Sequence, residues 1–175
     1  MKWERYGVIL HRLTADKIEL VRNWRNDPKI SQYMFYKDYI TPEMQLKWFN
    51  QINNDSNYYF IIEYNNEEIG LVNIKDIDKE KKCGEGGIFI YEDKYLNSDV
   101  SFRVSFCHSD FVFEELKLDY IYGHISPDNK RAVQFNKTLG ANIKPSDDGK
   151  SLFMTITREN HFKQRNKYIR ILCNQ

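Results

Sequence analysis

Tyr58-Tyr59-Phe60-Ile61-Ile62-Glu63-Tyr64, then Asn65-Asn66, then Ile69-Gly70-Leu71-Val72-Asn73-Ile74 is the stretch that decides the fold. Two runs rich in aromatic and β-branched residues flank a two-asparagine turn, so the segment reads as a β-hairpin. Working outward, the charged loop Asp78-Lys79-Glu80-Lys81-Lys82 leads to a third strand, Glu85 to Tyr91. Upstream, Asn53-Asn54-Asp55-Ser56-Asn57 is a break. Before it, Thr41-Pro42-Glu43 opens a helix, with Thr as cap, Pro in the first turn and an acid at the positive end. Met44, Trp48 and Ile52 share one side of that helix.

Further upstream, Val8 to Leu13 reads as a strand. Thr14 then caps a helix from about Ala15 to Asn26, whose Ile18, Leu20, Val21 and Trp24 form an apolar face. Asp27-Pro28 ends it, because a residue before proline is pushed out of helical geometry. Downstream of the third strand, Ser101 to Phe106 alternates polar and apolar, yet Val100, Val104 and Phe111 fit a helical face. A helix is the expectation there, running to Leu116. Asp119 to Ile125 reads as a strand, Asn129 to Leu139 as a helix closed by Gly140, and Leu152 to Thr157 as a late strand. This mixed order implies an α/β (α+β mixed) layer fold around one central sheet.

A chain of 175 residues, 41% hydrophobic and 29% charged, fits one globular domain that needs neither metal nor disulfide to fold. The expectation is a single domain over 1–175, with a core of about 7–157 and a solvated tail, 158–175. The tail carries a basic cluster, Lys163, Arg165, Lys167 and Arg170. Twenty-six basic against twenty-five acidic residues leave a net charge of +1, which argues against nucleic acid as the main partner. Cys83, Cys107 and Cys173 are widely spaced and read as reduced thiols of a cytoplasmic protein. No run approaches 18 apolar residues, and the four His show no metal-ligand spacing, so neither membrane nor metal is expected.

From Glu85 to Ala141 the chain resembles the cofactor half of the GNAT acetyltransferases. The motifs are Glu85-Gly86-Gly87-Ile88, Phe113-Glu114-Glu115-Leu116, Asp128-Asn129-Lys130-Arg131-Ala132 and Leu139-Gly140-Ala141, in the family's order. The stretch Asn23-Trp24-Arg25-Asn26-Asp27-Pro28, with Ile30-Ser31-Gln32-Tyr33-Met34, is similar to the sugar-nucleotide acetyltransferases of the pseudaminic acid pathway. It is less closely similar to enzymes that acetylate ribosomal-protein N-termini. The resemblance implies a central, mostly antiparallel twisted sheet with helices on both faces, and acetyl-CoA as cosubstrate.

It also implies where the cofactor would lie. The amides of Ile88 and Ile90, either side of Phe89, would pair with the pantetheine arm as an added strand does. The phosphate loop becomes Leu96-Asn97-Ser98-Asp99-Val100-Ser101, opening a helix whose N-terminus suits a pyrophosphate. Neither family glycine is present, and Leu96 replaces the leading basic or amide residue. Asp99 adds a like charge, worth about 1 kcal/mol of repulsion at 4 Å in water and about 4 kcal/mol at an effective dielectric near 20. Asn129, Ala132 and Phe135 would flank the arm.

Two groups carry the expected chemistry. Glu85 is the candidate base for the attacking amine, with His124 a rival. Asn136 stands where many relatives have Tyr to protonate the thiolate; a thiolate of pKa about 8.5 leaves with modest help, which an amide hydrogen bond could give. Trp24, Arg25, Asn26, Tyr33 and Met34 would line the acceptor, with Arg25 on a diphosphate. The expected acceptor is a small-molecule amine, a UDP-amino sugar first. A protein N-terminus and a non-catalytic binding module are the alternatives, and a homodimer is compatible with each.

Overall fold

The computed structural model describes residues 1–173, with only the backbone of residues 169, 171 and 172. Eight strands form one sheet: β1 (Lys2–Arg5), β2 (Val8–Arg12), β3 (Tyr58–Tyr64), β4 (Glu67–Asp78), β5 (Cys83–Ile90), β6 (Tyr120–Ile125), β7 (Asn142–Pro145) and β8 (Leu152–Thr157). Their order is β1-β2-β3-β4-β5-β6-β8-β7, and every pairing is antiparallel except β5 with β6. The hairpin is β3–β4, and Asn65 and Asn66 both take positive φ, 51° and 61°. Few side chains other than Asn accept that left-handed pair, which is why this dipeptide sets the turn.

Helices cover both faces. On one lie α1 (Ile18–Asn26), the short α2 (Pro28–Ser31) and α3 (Pro42–Ile52). Ile18, Val21 and Trp24 of α1 and Phe49 of α3 pack on Tyr59, Ile61 and Leu71. On the other lies α4 (Val100–Asp110), whose Val100, Val104 and Cys107 meet Phe60, Ile62, Val72, Ile74 and Ile90. Strand residues of opposite parity feed these two cores, as a pleated sheet requires. Burying each such side chain contributes about 1.5–3 kcal/mol. A single π-turn, Phe111–Glu115, extends α4; α5 (Lys130–Thr138) and α6 (Arg158–Cys173) complete the chain.

Several expectations need correction. Helix α1 starts at Ile18, because Ala15–Lys17 form a 3₁₀ turn and the Thr14 side chain does not cap it. The helix expected through 101–106 is present, and its polar–apolar alternation arises because α4 is buried on nearly all sides, so its polar residues do not mark a solvent face. β1 and β7 add an edge strand at each side of the sheet. Residues 158–173 are not a solvated tail. They form α6, and its His161 is 2% exposed.

The basic cluster of α6 divides accordingly. Arg165 Nη1 lies 3.0 Å from both Asp110 and Glu114 carboxylates, while Lys163, Lys167 and Arg170 are exposed. Asp110, wholly buried, also accepts from Tyr6 Oη at 2.5 Å and Arg5 Nη1 at 2.9 Å, and meets His161 Nε2 at 2.7 Å. Charge-assisted bonds from both ends of the chain therefore converge on the last residue of α4.

Candidate active site

The parallel pair β5–β6 holds for three residues only, Cys83 to Glu85 against Tyr120 to Tyr122. Beyond them the strands part. At the parting point a side chain has no room: a Cβ on Gly86 would sit 2.6 Å from Ile121 Cγ2, and one on Gly123 would sit 3.2 Å from the Gly86 carbonyl. Past it, β5 runs on to Ile90 beside β4 alone. Tyr91 N–H donates to the Ile69 carbonyl at 2.7 Å, on the β4 side. Alternation along the strand then aims the N–H groups of Ile88 and Ile90 the other way, into the opening. Their side chains face α4, and Ile88 is 37% exposed. Phe89 points to the opposite face, where its ring meets Trp24 edge-on at 6.2 Å.

The opening is bounded by two helix N-termini. Before α4, Ser98 Oγ donates to the Tyr95 carbonyl at 2.8 Å and accepts from Val100 N–H at 3.2 Å. Asp99 sits at the N-cap but leaves the first turn uncapped; it accepts from Arg103 Nε, one turn on, at 2.8 Å. The Asp99 charge is thus neutralised in place, which offsets the repulsion expected between it and a phosphate. Before α5, Asn129 Oδ1 accepts from Ala132 N–H at 3.0 Å, and Arg131 Nη2 donates to the Leu96 carbonyl. Asn136 Nδ2 donates to its own helix, at Ala132 O, 2.9 Å away. Phe135 packs on Phe102 of α4 with ring centres 4.9 Å apart.

The face of the sheet under α1 carries the polar groups. Glu85, at the parting point, accepts from Lys75 Nζ at 2.7 Å, and Lys75 also meets Asp76 at 3.0 Å. Burial works against the Lys75 charge, but Glu85 and Asp76 outweigh it and hold the ammonium above its ordinary pKa. Tyr59, Asn73 and Tyr122 share this face with Glu85 by strand register. His124 lies on the same side of β6, is exposed, and holds Ser151 Oγ at 3.0 Å through Nδ1.

Of the five residues expected to touch the acceptor, Trp24 and Asn26 are structural. Trp24 is 5% exposed and stacks on Tyr91 at 5.5 Å. Asn26 spends both ends of its amide on Ile40, donating to its carbonyl and accepting from its N–H, each at 2.9 Å. That clasp closes the loop after α2, which carries Tyr33 and Met34 together with the exposed Phe35, Tyr36 and Tyr39. The last three are aromatic residues that the sequence did not single out.

Arg25 is different. Burial pulls its guanidinium below the ordinary arginine pKa, and its electrostatic neighbours are Tyr59 and Tyr36. No carboxylate or other hydrogen-bond partner meets it among the described residues. Two surface concavities, about 520 Å³ around Tyr58, Lys82 and Lys117 and about 340 Å³ around His124, Lys144 and Phe153, are lined by neither Arg25 nor Ile88.

A sheet parted between two parallel strands, with free amides on one lip and a helix N-terminus over it, defines a protein that holds an extended acyl carrier. The model of the GNAT acetyltransferase domain matches residues 8–142, and the chain belongs to that family. It is accordingly an acetyl-CoA-dependent N-acetyltransferase.

Acetyltransferase PseH of Campylobacter jejuni is 27% identical over 152 residues, 86% of this chain and 92% of that protein. Spermidine N(1)-acetyltransferase of Escherichia coli is 23% identical over 140 residues, 79% of this chain and 75% of that one. Among solved structures, the Vibrio cholerae spermidine N-acetyltransferase in complex with CoA and spermine superposes with a TM-score of 0.80 at 19% identity, covering 90% of this chain and 99% of that one.

Acetyl-CoA should stabilise the fold. At 100 times its dissociation constant it should add about 2.7 kcal/mol, visible as a raised melting temperature. An unchanged melting curve at millimolar acetyl-CoA would mean that the altered loop no longer holds the cofactor.

Proposed function

We propose that this enzyme acetylates the amino group of a nucleotide-linked amino sugar. The observation that carries the reading is Arg25, a partly buried cation with no anionic partner among the described residues. A desolvated guanidinium without a carboxylate is costly, and an anion in the acceptor relieves that cost. A diphosphate matches its planar fork with two parallel bonds. The resemblance of residues 23–34 to sugar-nucleotide acetyltransferases points the same way. Exposed Tyr33, Phe35 and Tyr36 offer flat faces to a sugar or a base.

In this reading the free amine attacks the thioester carbonyl, a C–N bond forms, and the C–S bond breaks. The amine proton passes to Glu85 or, through water, to His124. Asn136 has a second amide hydrogen beyond the one given to Ala132, and it faces the departing thiolate. Ile88 and Ile90 N–H groups hold the pantetheine arm, flanked by Asn129, Ala132 and Phe135. The backbone from Leu96 to Ser101 holds the phosphates.

A polyamine is the competing acceptor, since spermidine acetyltransferases are among the relatives. The charge of Arg25 argues against it, because a polycation would meet a like charge there. The test is kcat/KM for a UDP-amino sugar, spermidine and a peptide with a free N-terminus, side by side. The sugar nucleotide should lead by at least about tenfold. Preference for spermidine would overturn the acceptor assignment.

A further inference from the structure

We propose that Arg131 supplies the pyrophosphate-binding cation that the loop at 96–101 lacks. The inference rests on the reading that the α4–α5 opening holds the cofactor phosphates. Leu96 stands where the family places a basic or amide side chain, so residues 96–101 themselves bring no cation. The structure restores one from elsewhere in the chain. Arg131, in the first turn of α5, reaches across the opening and donates to the carbonyl of Leu96, the very residue that replaces the missing side chain.

Two other cations near the loop are committed. Lys94 is held by Glu67 at 2.6 Å, and Arg103 by Asp99 at 2.8 Å. Arg131 has no carboxylate partner among the described residues, and its recorded partner is a neutral carbonyl. Hydrogen bonds to charged groups are the stronger kind, so a guanidinium parked on a carbonyl exchanges it readily for a phosphate oxygen. Its place beside the N-terminus of α5, where the helix dipole is positive, adds to the attraction for an anion. The contact also spans the mouth of the opening. On binding, Arg131 turns from Leu96 to the pyrophosphate.

The experiment compares wild type, Arg131→Ala and Arg131→Lys by calorimetric titration with coenzyme A and with dephospho-coenzyme A, which keeps the pyrophosphate but lacks the 3′-phosphate. Pantetheine, which has neither, is followed by protein NMR shifts at millimolar concentration. Arg131→Ala should weaken coenzyme A and dephospho-coenzyme A by the same factor, roughly ten- to a hundredfold, and leave pantetheine unchanged. Arg131→Lys should recover part of the loss.

Equal loss toward pantetheine would make Arg131 a structural brace and overturn the proposal. So would a loss confined to coenzyme A, which would assign Arg131 to the 3′-phosphate, and so would no loss at all. Arg131 is exposed, so the variants should fold, and their melting curves check it. If wild type binds coenzyme A no more tightly than pantetheine, the cofactor-site reading itself fails, separately from any effect of the variants.

Discussion

Arg25→Ala should raise the Michaelis constant for a UDP-amino sugar about ten- to a hundredfold, with acetyl-CoA binding unchanged. Hydrogen bonds to charged groups are worth roughly 1.5–3 kcal/mol, and a diphosphate on Arg25 would lose two of them. The melting temperature separates this from a structural effect. Arg25 has no hydrogen-bond partner to orphan among the described residues, so truncating it removes an uncompensated charge and should leave stability near or above that of wild type. A variant that melts early and loses activity toward sugar nucleotide and peptide in equal proportion would show that Arg25 merely braces α1.

The largest effect on stability is expected from Asp110→Ala. Its carboxylate is fully buried and is met by Arg5, Tyr6, His161 and Arg165. Removing it strands the buried His161 imidazole and leaves Arg5 and Arg165 with Glu114 as their remaining carboxylate, and breaking a buried pair typically costs about 3–5 kcal/mol. For a domain of this size the melting temperature should fall on the order of 10 °C. A fall of only a degree or two would mean that the surrounding cations relax into water at no cost.

The same carboxylate gives a pH dependence. Burial alone would raise its pKa; the bonds from His161, Tyr6 and Arg5 outweigh that and lower it from 3.8 to about 2. A carboxylate whose folded pKa is depressed contributes stability that is complete above its unfolded value. That contribution is lost as pH falls from about 4 through about 2. Urea midpoints of wild type and Asp110→Ala should therefore converge between pH 7 and pH 2. A gap that stays constant would remove the carboxylate's ionisation from the explanation.

The hairpin, the helix opened by Thr41-Pro42 and the motifs from Glu85 to Ala141 were legible because each is local. Asn65-Asn66 needs only its own backbone preference to make the turn. Thr41 accepts from Met44 N–H within one turn, as its sequence spacing implies. What escaped depends on partners far along the chain. Helix α6 looked like solvated tail because His161 and Arg165 are polar, and their partners lie 51 and 55 residues earlier. α4 read ambiguously because a helix buried all round, with Arg103, Ser105, His108 and Asp110 inside, has no polar stripe.

The candidate site divides along the same line. Ile88 and Ile90 could be assigned through the family resemblance, and strand alternation in the structure puts both amides on one edge. Trp24 and Asn26 carry side chains suited to a ligand, but those side chains serve the core and the loop clasp equally well. Arg131 stands out only once Leu96 is seen beside it, 35 residues away in sequence.

The convergence on Asp110 also bears on how the molecule comes together in time. Tyr6 lies 104 residues before it and His161 lies 51 after. Contacts so distant along the chain require large loops to close first, and they form late in folding. Until α6 docks, α4 carries a carboxylate destined for burial with only its N-terminal partners, Arg5 and Tyr6, available. A chain emerging from the ribosome would therefore hold α4 ready before its final turn is secured. The cofactor-side helix and the closing step of folding share one residue.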